Sequence, residues 1–187
     1  MIANVGRIKR SAAPAVVFPL RMFRSQQMDY ITLEKLIRDV AASASALQHH
    51  RFAQDTIRRL LTATESAIRT EFDDRERELL QSVIDCLQKD NPEPAINALN
   101  CLERSIASDD TRAGEFSQST LALISSLDWY NKYLTSSNSA SIAQLAVVRV
   151  ELIDFNSHGL VRDYSHENVM AASEMKDEWK RVTDFLS

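Results

Sequence analysis

The sequence predicts an all-α fold, an irregular bundle or array of about seven mostly antiparallel helices. Three observations carry that prediction. Beyond residue 27 the only prolines and glycines are Pro92, Pro94, Gly114 and Gly159, and each falls where one helical pattern stops and another begins. Apolar residues recur every three or four positions almost to the C-terminus, the spacing that lays a stripe along one face of a helix. A body of about 160 residues buries roughly two-thirds of its unfolded surface, enough for one core against which such stripes pack.

Residues 1–27 stand apart. They carry Arg7, Lys9, Arg10, Arg21 and Arg24 with no Asp or Glu, and Pro14 and Pro19 break their one apolar run. The prolines and the two downstream arginines fit neither a secretory signal nor an amphipathic transit helix. The reading adopted is an extension upstream of a true start at Met28, or a disordered tail, with residues 28–187 forming one helical domain.

The first helix is expected from about Thr32 to His50, where Leu33, Leu36, Ile37, Val40, Ala44 and Leu47 share a face. The second, about Arg51 to Phe72, follows with Ala53, Ile57, Leu60, Leu61, Thr64 and Ile68. Asp73-Asp74-Arg75-Glu76 has the form of a capping box and opens a third helix through Leu80, Val83, Ile84 and Leu87. Asn91-Pro92 opens a fourth, because proline at the first helical position loses no hydrogen bond. Its face is Ile96, Leu99, Leu102 and Ile106.

Ser108-Asp109-Asp110 is expected to start the fifth helix, with Phe116, Thr120, Leu123, Ile124, Leu127, Tyr130 and Leu134 as its stripe. The polar linker Thr135–Ser139 is long enough to reverse the chain. Residues 142–155 are rich in β-branched side chains and alternate locally, which would suit a strand. A lone strand has no pairing partner here, so a helix apolar on most sides is expected, and such a helix belongs at the centre. Gln144, Arg149 and Glu151 within it exclude a membrane span. After a loop around Gly159, Ser165 is expected to cap a last helix bearing Val169, Ala172, Met175, Trp179, Val182 and Leu186.

Charge narrows the partners. The five cations of the first 27 residues leave 17 Lys and Arg for the remainder against all 26 Asp and Glu, a net of −9. An acidic body repels nucleic-acid phosphates and favours a basic protein partner, with solubility alone as the other role for such charge. Cys86 and Cys101 lie in helical patterns with no zinc spacing, so they are expected as buried free thiols of a cytoplasmic protein, with a Cys86–Cys101 disulfide as the alternative.

Chemistry finds little raw material. Glycine-dependent phosphate loops and nucleophile elbows are absent, so no catalytic residue and no cofactor are expected. His49 and His50 are expected at the end of the first helix, in capping or surface positions. His158 and His166, with Asp163 and Glu167, have metal-ligand residue types, but no Glu-x-x-His pair accompanies them and no metal is expected. Arg149 should pair with a carboxylate. Trp129, Tyr130 and Tyr133 are interface-type aromatics, with Tyr130 assigned to the core.

Two acidic clusters remain as candidate protein-binding residues: Asp73, Asp74, Glu76 and Glu78, and Asp109, Asp110 and Glu115. Helix capping accounts for the leading members of each. Residues 30–187 also resemble the all-helical bacterial immunity proteins that neutralise polymorphic toxins, in particular the family called immunity protein 5. The resemblance lies in the order of parts: an arginine-bearing helix at Arg51–Phe72, a short pair at Asp73–Ser108, a long fifth helix, and a terminal helix with Glu178-Trp179. It implies a non-catalytic protein that binds and blocks a cognate toxin in the producing cell. A helical scaffold or adaptor, and a small-molecule sensor with a cavity between helices five, six and seven, are the alternatives.

Overall fold

The computed structural model describes residues 28–107, 116–158 and 168–187. Among them are seven α-helices and one short 3-10 turn, in the order α1 (Tyr30–Ser43), α2 (Ala46–Glu71), α3 (Asp74–Gln88), α4 (Pro92–Ala107), α5 (Gln118–Ser136), α6 (Ser139–His158), the turn Val169–Ala171, and α7 (Ser173–Leu186). Every described element is helical, as the sequence predicts. No described helix is long and apolar enough to cross a membrane.

Local chemistry sets the helix ends. Asp73 caps α3: its carboxylate accepts from the Glu76 N–H at 2.7 Å while Glu76 accepts from the Asp73 N–H at 3.0 Å, the reciprocal box read from the sequence. Pro92 is the first residue of α4, where its missing N–H costs nothing. Ser137 ends α5 in the left-handed region at φ 54°, and the Asn138 side chain then accepts from the Ala140 N–H at 3.0 Å. The reversal between α5 and α6 therefore needs only two residues.

The first boundary differs from the expectation. The chain breaks at Ala44–Ser45 instead of after His50, because Ser45 and Gln48 form a second capping box. The apolar period runs through this break and conceals it. Helix phase resets there, so Leu47, expected on the buried stripe, is 60% exposed. His49 and His50 consequently sit in the first turns of α2, not at a helix end.

Three further expectations change. The residues expected to open the fifth helix lie outside those described; α5 begins at Gln118, capped by Ser117, so Phe116 stands before the helix and packs edge-on against Phe72 at 5.6 Å. Ser165 likewise lies outside, and α7 begins at Ser173, leaving Val169 in the 3-10 turn and Ala172 as its cap. Cys86 is half-buried and Cys101 exposed, both as free thiols, since each lies beside its helix's buried stripe instead of within it.

The core is built around α5 and α6. Helix α5 packs against α2, α3, α4 and α6, and α6 packs against α1, α2, α5 and α7. Segment 142–155 is thus helical and central, with Ile142, Leu145 and Ala146 fully buried. An α-helix satisfies its own backbone groups, which a lone strand in this position could not do. Asn168 fastens the ends together: its Oδ1 accepts from the N–H groups of Met28 and Met170, each at 3.2 Å, while Val169 donates to the Met28 carbonyl at 2.9 Å.

Candidate functional site

The acidic residues at the start of α3 divide by role. Glu76 is 0% exposed and receives, besides the cap bond, the Ser105 hydroxyl of α4 at 2.9 Å. It locks the α3–α4 hairpin from within, so of the four clustered acidic residues it is the one that is not on the surface. Asp73, Asp74 and Glu78 are exposed. Asp74 pairs with Arg77, which also donates to the Phe72 carbonyl. Glu78 is the fifth residue of α3, beyond the turn over which the helix dipole favours a carboxylate, and it stands four residues after Asp74 on the same face. Asp109, Asp110 and Glu115 lie outside the described residues.

This face belongs to a projecting unit. The α3–α4 hairpin meets the rest of the domain chiefly through α5. Within residues 73–107 the sequence places eight Asp and Glu against four Lys and Arg, so the projection is acidic.

A second feature, not anticipated from the sequence, is a buried ionic network on α2 and α7. Arg181 is 8% exposed. It donates to Asp55 at 3.0 Å, to Thr56 at 3.0 Å and to Glu178 at 2.6 Å, and its guanidinium lies 4.6 Å above the Phe52 ring. Asp55 also receives Arg58 at 2.6 Å and Arg59 at 2.7 Å. Burial pushes the Asp55 carboxyl up, but hydrogen bonds from Arg58 and Arg59 and the charges of Arg59 and Arg181 outweigh it and hold the pKa below the ordinary value. Arg149 of α6 approaches Glu178 at 3.7 Å, the carboxylate partner expected for it.

Two clefts flank this network. One, of 700 Å³, is bounded by α2, α6 and α7, with Arg59, Arg149, Lys180 and Arg181 balanced by Glu174, Asp177, Glu178 and Asp184. The other, of 640 Å³, runs between α2 and α3 over a floor supplied by α5. It exists because α2 and α3, joined by a tight turn at one end, both lean on α5 while making little contact with each other. A smaller cavity of 270 Å³ lies between α5 and α6, so of these three none is bounded by helices five, six and seven together, the place where a sensor reading anticipates one.

At the far end of the α2–α3 groove, His50 meets the Tyr130 hydroxyl at 3.1 Å and Asp90 at 3.6 Å. Asp90 adopts φ 51°, a left-handed turn that ends α3 and turns its carboxylate toward α2. Burial, then the nearby Asp90 charge, raise the Tyr130 pKa to about 12. His49 is buried, contrary to its expected surface placement, and its Nε2 lies 2.8 Å from the Ala41 carbonyl; a carbonyl only accepts, so that nitrogen carries the proton. Tyr130 and Tyr133 are core residues, whereas Trp129 is half-buried beneath the Lys132 ammonium.

Of the four residues with metal-ligand side chains around Gly159, only His158 is among those described, as the last residue of α6. Among the described residues, no group of three or more His, Cys, Asp and Glu is placed to hold a metal ion. No protein-family model, curated protein or solved structure matches the chain.

Proposed function

We propose that this protein is a non-catalytic immunity-type inhibitor, which binds a basic protein toxin through the acidic outer face of the α3–α4 hairpin. The observation that carries the reading is Glu78 beside Asp74. Capping and the dipole account for Asp73 and Asp74, but Glu78 lies beyond both effects, and among the described residues it makes no ion pair or hydrogen bond. An opposed cationic surface would attract it and accelerate encounter with the partner.

Asp73, Asp74 and Glu78 form the contact face, while Glu76 keeps α3 and α4 in register behind it. The net charge of −9 over residues 28–187 supports the same sign of partner. Co-expression with the toxin encoded beside this protein is the test. Growth should be rescued by the natural protein and lost with Asp74→Lys combined with Glu78→Lys. A toxin that still kills at equal expression of the natural protein overturns the reading.

A further inference from the structure

The α2–α3 groove has a polarity gradient along its length. At the end nearest the start of α2 lie Arg51, Gln54, Gln88 and Tyr130. Toward the α2–α3 turn the lining becomes mainly apolar, Ile57, Leu61, Ile84 and Leu127, with Arg58 and Thr62 also on the α2 side. Along α2 the lining extends from Arg51 to Thr62, a run of roughly 16 Å at 1.5 Å per residue. The volume of 640 Å³ falls within the range of roughly 300–1,000 Å³ typical of small-molecule sites.

Charge at the lip is positive despite the acidic body. Asp55 is the one carboxylate among the lining residues, and three guanidinium groups already share it, those of Arg58, Arg59 and Arg181. Asp90 stands just beyond the polar end of the groove, against His50 and the Tyr130 hydroxyl, so the anion-accepting position is on the Arg51 side of the lip. Arg51 is exposed on the lip with no carboxylate within ion-pair distance among the described residues.

We propose that this groove binds an aliphatic carboxylate of medium chain length. The carboxylate lies against Arg51, with the Gln54 and Gln88 amides as neutral donors, and the hydrocarbon chain runs over Leu61 and Ile84 above Leu127. A cation in the head position would be repelled by Arg51, and a polar body would lose its hydration against the apolar end. The site is separate from the acidic hairpin face and stands or falls independently of the inhibitor reading.

Titration of the ¹⁵N-labelled full chain with decanoate, decylammonium and decanol tests the proposal. Decanoate should give saturable amide shifts clustered on α2, α3 and α5 around the groove, and decylammonium should bind more weakly by about tenfold or more, as the loss of one charge-assisted contact implies. Arg51→Glu, an exposed substitution that leaves the core intact, should weaken decanoate by a similar factor. Leu61→Trp should block the chain end, its amide spectrum first confirming the fold. The proposal is overturned if decanoate gives no saturable shifts at the groove, if decylammonium binds equally well, or if Arg51→Glu leaves decanoate affinity unchanged.

Discussion

Replacing Arg181 by Met is a stringent test of the packing between α2 and α7. Methionine keeps most of the aliphatic volume over Phe52 but removes every charge-assisted bond that Arg181 makes. The two carboxylates then fare differently. Asp55 retains Arg58 and Arg59, whereas Glu178, only 5% exposed, is left with Arg149 at 3.7 Å. Stranding a buried charge in this way costs about 3–5 kcal/mol, a large share of a typical domain stability of roughly 5–15 kcal/mol. For a chain of this size the melting temperature should fall by about 10 °C. Urea unfolding is the assay, with a lower midpoint at unchanged slope marking a loss of stability without a change in compactness.

A companion variant separates the charge effect from packing. Arg181→Met combined with Glu178→Leu removes the stranded carboxylate and should recover most of the lost stability, since a buried ion pair replaced by apolar groups is often neutral and the partly exposed Arg149, which loses Glu178, opens onto the adjoining cleft. A single substitution costing less than about 1 kcal/mol, or a double variant no more stable than the single, would refute the reasoning.

Other consequences are equally direct. Ser45→Ala removes the cap that separates α1 from α2 and should cost about 1 kcal/mol by urea denaturation, with amide exchange faster at residues 45–48. The depressed Asp55 pKa means that the folded state binds this proton less readily than the unfolded chain. Its stabilisation is present above pH 3.8 and lost as pH falls below, so Asp55→Asn should flatten that part of an acid-unfolding profile. Tyr130 shows the opposite sign. With its pKa raised from 10.0 to about 12, it withdraws stability as pH rises across that interval, so the Tyr130→Phe variant should lose less stability there, and an ultraviolet phenolate titration should show one late-ionising tyrosine missing from the variant.

How much could be read in advance depended on whether a signal was local. The Asp73–Glu76 box and Asn91-Pro92 mark the starts of α3 and α4 within four residues of sequence, and the structure places those helices there. Ser45-x-x-Gln48 is an equally local signal, but the apolar positions Val40, Ala44 and Leu47 continue their spacing across it, so periodicity concealed the break. That one shift moved His49 from a helix end into the core and Leu47 from the core to the surface.

The ionic network was illegible for a different reason. Asp55 and Arg181 are 126 residues apart, and nothing near either position names the other. What the sequence does carry is a hint of burial: Asp55 and Thr56 lie within α2's buried span between Phe52 and Leu60, and Glu178 and Arg181 flank the stripe residues Trp179 and Val182. Arg149, set in the most apolar helix, was conspicuous enough to require an acid, and Glu178 is that acid. The groove is a consequence of helix divergence, which no single helix encodes. The surface residues of the hairpin were legible as acidic, but the inward turn of Glu76 follows from its bond to Ser105 on another helix.

The measurement that bears most directly on the inhibitor reading is calorimetric titration of this protein with the purified product of the adjacent gene at low and physiological salt. The account predicts saturable binding that weakens as salt rises, and that falls by about tenfold or more when Asp74 and Glu78 are both replaced by Lys. Binding indifferent to salt and to those substitutions, or no binding at all, would contradict it.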